Sequence, residues 1–336
     1  MHRDERGRCR LSRRAFLAGS AAGGALVAAG CDGGAKLALP FEETAPTRPP
    51  AGEGRARTEG GEIWYQVVGS GPGTPLIVIH GGPGFSHDYL LPLAELGRDR
   101  PVVFYDQLDC GKSDQPGDPG NWRVGRFVAE IESLRQALGL TRFHLLGHAW
   151  GGLLAVEYAA GNRRRVDGCV LASPLISTEA WAADTRRWRR LLPDQVQAVL
   201  DREEAARNFR SQDYRQALDV FYRRHLCRLD PWPAPLTASL DKGNSRLYIA
   251  MWGETEFAAT GTLRGYDASP SLTRLEVPTL FTCGEFDEVA PVTVYRYSAV
   301  VADSDVRMIA DASHMAHLEQ TAAYNQAVAV FLNGLG

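Results

Sequence analysis

The stretch Phe143-His-Leu-Leu-Gly-His-Ala-Trp-Gly-Gly152 decides how the rest of the chain is read. Its first residues form an apolar, strand-like run, and the small residues that follow open a helix. A strand that turns sharply into a helix between closely set glycines has the outline of a nucleophile elbow, G-x-S-x-G, which presents one side chain at the apex of the turn. Here the pattern reads Gly147-His148-Ala149-Trp150-Gly151, so both glycines are present and the nucleophilic oxygen is not. A methyl group stands where the hydroxyl belongs, and covalent catalysis from this position needs that hydroxyl.

Outward from the elbow, short apolar runs recur at residues 75–79, 101–105, 168–172, 277–282 and 306–309. Helix-like stretches separate most of them, at 124–138, 153–160, 292–301 and 317–332. Apolar strands alternating with amphipathic helices predict a mostly parallel sheet covered by helices on both faces. Order is expected to begin near the alternating strand 62–68, after a tether at 32–54 rich in Gly, Pro, Ala and Glu. One interval breaks the rhythm. About a hundred residues of helical character, carrying Trp181, Trp188, Trp232 and Trp252, separate the strand ending near Ala172 from the next. A structureless loop of that length is improbable, so the reading is a core of 55–176 and 264–336 with an inserted helical lid at 177–263. Lids above the carboxyl ends of strands govern substrate access.

Composition places the chain among ordinary globular proteins, with 44% hydrophobic and 23% charged residues and a net charge of -3. That balance argues against a nucleic-acid surface, and Arg186, Arg187, Arg189, Arg190, Arg223 and Arg224 read as solvated helical faces. Residues 1–31 read as a targeting segment. A basic start leads to Ser12-Arg-Arg-Ala-Phe-Leu17, which looks like a twin-arginine export signal, followed by an uncharged run too short to span a membrane. The run ends at Ala28-Ala-Gly-Cys31, which resembles a lipoprotein cleavage box with Ala28 in place of the usual Leu. Export to the periplasm or cell surface is expected, with two outcomes open: a lipid anchor at Cys31, or cleavage and release. Of the later cysteines, Cys110, Cys169, Cys227 and Cys283, none forms a C-x-x-C pair, and Cys169 and Cys283 read as small core residues.

The remaining chemistry lies at strand ends. His80-Gly-Gly-Pro-Gly84 follows the strand 75–79 and resembles a glycine-rich oxyanion loop, whose N–H groups face a developing negative oxygen. Asp287 lies in the loop after strand 277–282, with Glu285 and Glu288 as rival carboxylates. His314 lies in the loop after the last strand, with His317 as its rival. The order nucleophile, acid, histidine is that of the α/β-hydrolases, in which the acid fixes the histidine tautomer and the histidine takes the nucleophile's proton. His80 and His148 read as braces for the loops around them. No metal cluster, phosphate loop or cofactor fingerprint is present in the sequence, so no cofactor is expected.

From about Gly61 to the C-terminus the chain resembles the proline iminopeptidase family of α/β-hydrolases. The resemblance rests on His80-Gly-Gly-Pro-Gly84, Phe104-Tyr-Asp-Gln-Leu-Asp-Cys-Gly-Lys-Ser-Asp114, the elbow, Met251-Trp-Gly-Glu-Thr-Glu-Phe257 and Gly284-Glu-Phe-Asp-Glu288. It implies a serine aminopeptidase that releases an N-terminal residue, proline or a small apolar one, from peptides or amino-acid amides. It further implies Glu256 in the lid as the anchor for the substrate ammonium, and the N–H groups of Gly82 and Trp150 as oxyanion donors. The chain departs from the family at Ala149, and Ser113 and Ser173 lie in other loops. Three readings stand open: an inactive Ser→Ala form of a peptidase, a natural pseudoenzyme that binds peptides or amides, and a fold running serine-free proton transfer through His314.

Overall fold

The computed structural model describes residues 47–335 with the exception of 163. The export and lipidation readings, and Cys31 with them, lie outside the described residues. Eight strands form one sheet: β1 (Gly52–Thr58), β2 (Gly61–Val68), β3 (Leu76–Ile79), β4 (Val102–Tyr105), β5 (Phe143–His148), β6 (Val166–Ala172), β7 (Thr279–Gly284) and β8 (Ser304–Ile309). Their spatial order is β1-β2-β4-β3-β5-β6-β7-β8. The β1–β2 and β2–β4 pairs are antiparallel, and every later pair is parallel. The central strands β3, β4, β5 and β7 are buried along their whole length. Continuous apolar runs, rather than alternating ones, are what a sheet covered on both faces demands.

Two apolar layers flank the sheet. On one face Leu145, Leu171 and Phe281 pack with Trp150, Leu153 and Val294 from α2 (Trp150–Gly161) and α9 (Pro291–Ala299), beside α1 (Val124–Ala137). On the other, Leu146, Val170 and Leu280 meet the 3-10 segment His87–Arg98, the short α10 (Ala316–Glu319) and α11 (Thr321–Asn333). Truncating a fully buried residue such as Phe281 to alanine costs about 3–5 kcal/mol, so either layer is a large fraction of net stability.

Five helices, α3 (Thr178–Arg189), α4 (Asp194–Ala205), α5 (Gln212–His225), α6 (Ala234–Asp241) and α7 (Ser245–Met251), come between β6 and β7, followed by the single turn α8 (Ser269–Leu272). They gather a small apolar cluster of their own around Leu200, Tyr214, Phe221 and Phe257. A bridge between Ser177 and Asp267 ties the stretch where the chain leaves the core to the stretch where it returns.

Three expectations need correction. The segment 32–54 read as a tether overlaps β1, which starts at Gly52 and pairs with β2 from Gly52↔Val67 to Thr58↔Gly61. It is an edge strand of Gly, Glu and Arg in which only Ala56 is buried, so it carries no apolar alternation. The helix expected at 317–332 is broken at Gln320 (φ -133, ψ 51) into α10 and α11. Finally α2 begins at Trp150, directly after the elbow, and not at 153.

Candidate active site

The elbow is strained and pinned. Ala149 has φ 51 and ψ -117, a region that residues with a Cβ rarely occupy. Its N–H donates to the Ala172 carbonyl at 2.9 Å, and its own carbonyl accepts from Gly152 at 2.9 Å and Leu175 at 3.0 Å. The end of β6 therefore holds the turn from both sides. The flanking glycines are there for close approach: a Cβ on Gly147 would lie 2.2 Å from the Gly151 carbonyl oxygen, and one on Gly151 2.3 Å from that of Ile79.

His314 and Asp287 form a directed pair. The His314 Nδ1–H donates to Asp287 Oδ1 at 2.8 Å. The other oxygen, Oδ2, accepts from the Ser173 hydroxyl at 2.6 Å and from the Gly284 N–H at 3.1 Å. With Nδ1 committed, Nε2 is left as the basic nitrogen, and His314 lines the same cavity as Ala149. Burial opposes charge on the ring, but the Asp287 carboxylate, its hydrogen bond and Glu288 outweigh it and raise the His314 pKa above its ordinary value. Of the rivals, Glu285 accepts from the Asp311 N–H at 3.2 Å, away from the ring. His317 bonds the Tyr89 carbonyl at 3.1 Å.

Gly82 and Trp150 line the cavity on either side of Ala149, and no loop or cap bond among the described residues uses the N–H of either one. Two side-chain relays steady these donors. In the first, Trp150 Nε1–H donates to Gln107 Oε1 at 2.9 Å, while the Gln107 amide donates to the His80 carbonyl at 2.9 Å. In the second, the Gly81 N–H donates to the Tyr89 hydroxyl at 2.7 Å and that hydroxyl meets His148 Nδ1 at 2.9 Å. His148 Nε2 in turn lies 3.0 Å from the His314 carbonyl. A carbonyl can only accept, so Nε2 carries the proton, Nδ1 accepts, and Tyr89 must be the donor between them. Burial holds His148 neutral, well below its ordinary pKa. The relay joins the glycine-rich loop, the elbow and the histidine loop without a break.

The cavity, about 330 Å³, also receives Glu256 and Glu288. Tyr248 donates to Glu256 Oε1 at 2.8 Å, and Tyr222 bonds the same carboxylate. Desolvation raises the Glu256 pKa despite both hydroxyls. Glu288 is 5% exposed, its Oε1 has no partner among the described residues, and its Oε2 is 3.9 Å from His314 Nε2. Burial, opposed by His314 and reinforced by Glu256 and Asp287, pushes its pKa up to about 8. Both carboxyls thus line the same cavity as the histidine, each made harder to ionise by burial. Among the described residues the lining contains no Ser, Thr, Cys or Lys to stand in for the missing hydroxyl.

Of the residues singled out in the sequence, Ala149, His314, Gly82, Trp150 and Glu256 share this cavity, with Asp287 buried behind His314. Three others were not singled out for the parts they take. Glu288, weighed only as a rival acid, is a cavity wall; Tyr89 closes the relay; and Ser173, set aside as lying elsewhere, donates to Asp287. Only the position of Ser173 at the end of β6, beside the acid strand, hinted at this. Backbone bonds from His314 N to the His225 carbonyl and from Met315 N to the Leu226 carbonyl, both 2.9 Å, fasten the end of α5 to the histidine loop. His225 Nδ1 also meets the Phe286 carbonyl at 2.9 Å, in the acid loop.

A parallel sheet with an elbow, a glycine-rich loop and an Asp–His pair at its strand ends defines the α/β-hydrolase class, and the alpha/beta hydrolase fold family matches residues 74–321. The proline iminopeptidase of Heyndrickxia coagulans is 38% identical over 285 residues, covering 84% of this chain and 99% of that protein. That of Saccharolobus solfataricus is 35% identical over 285 residues, covering 84% and 92%. Among solved structures, VinJ superposes with a TM-score of 0.82 at 34% identity, covering 86% of this chain and all of that one. The proline iminopeptidase of Mycobacterium smegmatis follows with 0.79 at 32%, covering 84% and 98%. The chain belongs to the proline iminopeptidase family.

Proposed function

We propose that this chain is the nucleophile-less form of a serine aminopeptidase that releases proline or a small apolar residue from the N-terminus of peptides or amino-acid amides. The observation that carries the reading is the convergence, in one cavity, of a strained elbow, a histidine whose Nδ1 is committed to Asp287 and two carboxylates suited to an ammonium ion. Strain at Ala149 has a use when the apex carries a nucleophile and none when it carries a methyl group.

The parts act as follows. Glu256 and Glu288 hold the ammonium of the first residue by charge-assisted hydrogen bonds, which also draws both carboxyls toward ionisation. That capture sets the scissile carbonyl over the elbow, its oxygen toward the N–H groups of Gly82 and Trp150. In the Ala149→Ser form, the hydroxyl oxygen bonds to the carbonyl carbon while its proton passes to His314 Nε2, and Asp287 stabilises the imidazolium. The tetrahedral adduct collapses, the C–N bond breaks, and His314 returns the proton to the leaving amine. Water then cleaves the acyl-enzyme by the same route. The chain carrying Ala149 stops at binding. If the expected signal operates, it does so outside the cytoplasm.

The test is Ala149→Ser assayed on prolyl and alanyl anilides. Turnover with a burst, about 10⁶-fold above the Ala149 chain, is expected. A folded serine variant that cleaves no aminoacyl anilide or amide, while both forms still bind such compounds, would instead make the chain a binding protein.

A further inference from the structure

The cavity wall carries one charge that the proposed chemistry leaves unused. Helix α5 faces the cavity with Arg215, Leu218, Asp219 and Tyr222, at the spacing of one helical face. Asp219 is already taken by Arg223 at 2.8 Å, and Arg223 also reaches Asp230 at 3.0 Å. Arg215 forms no ion pair and no side-chain hydrogen bond among the described residues, and it is the sole Arg or Lys of the lining. An exposed guanidinium with no partner among the described residues, lining a cavity that also holds two buried carboxylates, gives that cavity charges of both signs.

From this polarity we infer that Arg215 binds the terminal carboxylate of a short peptide, so that the preferred ligands are free tripeptide-sized acids and not long chains. The inference rests on the aminopeptidase reading, because it takes the ammonium end to lie at Glu256 and Glu288. Tyr222 bonds Glu256, and it lies seven residues along α5 from Arg215. At 1.5 Å per residue that is an axial offset of roughly 10 Å. An extended peptide advances about 3.3–3.6 Å per residue, so about three residues bridge from the ammonium receptor to Arg215. The lining also carries apolar Leu218, Leu226, Trp232, Leu240 and Met315, and apart from Glu256 and Glu288 its one carboxylate is Asp219, which Arg223 occupies. Guanidinium recognises carboxylate through two parallel N–H donors, which lysine cannot reproduce.

The chain as it stands suits the experiment, since a peptide bound beside Ala149 is not consumed. Calorimetric titration would compare Pro-Ala-Ala, Pro-Ala-Ala amide and Pro-Ala dipeptide on the parent, Arg215→Met and Arg215→Lys proteins. The expected result is about three- to tenfold tighter binding of the tripeptide acid than of its amide in the parent. Arg215→Met should erase that preference, Arg215→Lys should retain part of it, and the dipeptide acid should gain less from its carboxylate. Equal affinity for acid and amide in the parent, or a preference that survives Arg215→Met, overturns the assignment. If tripeptide acid, tripeptide amide and dipeptide all fail to bind, the aminopeptidase reading fails with it; if the amide binds and only the preference is missing, that reading stands and Arg215 alone is excluded.

Discussion

Replacing Glu288 by glutamine should make the protein more stable, and by an amount that grows with pH. Glu288 is buried with one oxygen unpartnered, and its pKa lies at about 8 against an ordinary 4.5, chiefly through burial. Each pKa unit is worth about 1.4 kcal/mol, so that gap sets a ceiling of about 5 kcal/mol on what the charge costs the folded state. Below about pH 4.5 the carboxyl is protonated whether the chain is folded or not, and the cost is absent. Between there and about pH 8 the unfolded chain releases a proton that the folded chain retains, so stability falls as pH rises. Beyond that the carboxylate is charged in both states and the full cost is expressed. Glutamine keeps the shape and never ionises. The advantage of Glu288→Gln over the parent should therefore be small at about pH 4, about 1–2 kcal/mol at pH 6 and about 3–5 kcal/mol at pH 9. Urea titrations of both proteins across that range, with matching m-values, measure it directly. An advantage that is flat or shrinks with rising pH would refute the argument. Because Glu256 adds to the cost of ionising Glu288, Glu256→Gln should add less in the Glu288→Gln background than alone.

Two further outcomes follow from the backbone and the relay. Ala149→Gly relieves a conformation that costs a residue with a Cβ about 1–3 kcal/mol, against about 0.5–1 kcal/mol of extra chain entropy, so its denaturation midpoint should equal or exceed that of the parent; a loss above about 1 kcal/mol would show that the elbow is unstrained. In the Ala149→Ser form, Tyr89→Phe strips partners from the Gly81 N–H and His148 Nδ1, each worth about 1–3 kcal/mol. Steady-state kinetics should then show kcat down about tenfold or more with KM little changed, and a rise in KM alone would exclude the relay from the chemistry.

Local signals were enough for much of this architecture. Buried parallel strands are runs of apolar residues, and the elbow, the glycine-rich loop and the Asp287 loop each follow one directly, whereas the His314 loop follows the edge strand β8, in which only Ile309 is buried. β1 was illegible because an edge strand needs only the partner's backbone, and Glu, Gly and Arg supply that as well as any residue. The relay was illegible for another reason. Tyr89 and His148 are 59 residues apart, and only the packing of the 3-10 segment against the sheet makes them neighbours. Glu288 shows the limit most clearly. Adjacent carboxylates in one loop look interchangeable in a sequence, yet Asp287 turns back to Gly284 and Val289 while Glu288 faces the cavity.

The attachment of α5 to the catalytic loops bears on how such a protein can change its diet. One helix lines the cavity with Arg215 and Tyr222 and, at its end, clasps the histidine loop by two backbone bonds and the acid loop by His225. A helix so fastened is no hinged flap. New ligand preferences are open to it through exchange of single side chains along one face, whereas swapping or sliding the whole helix would drag His314 out of line. Selectivity here can drift quickly by point mutation, but the part that confers it cannot be traded as a module.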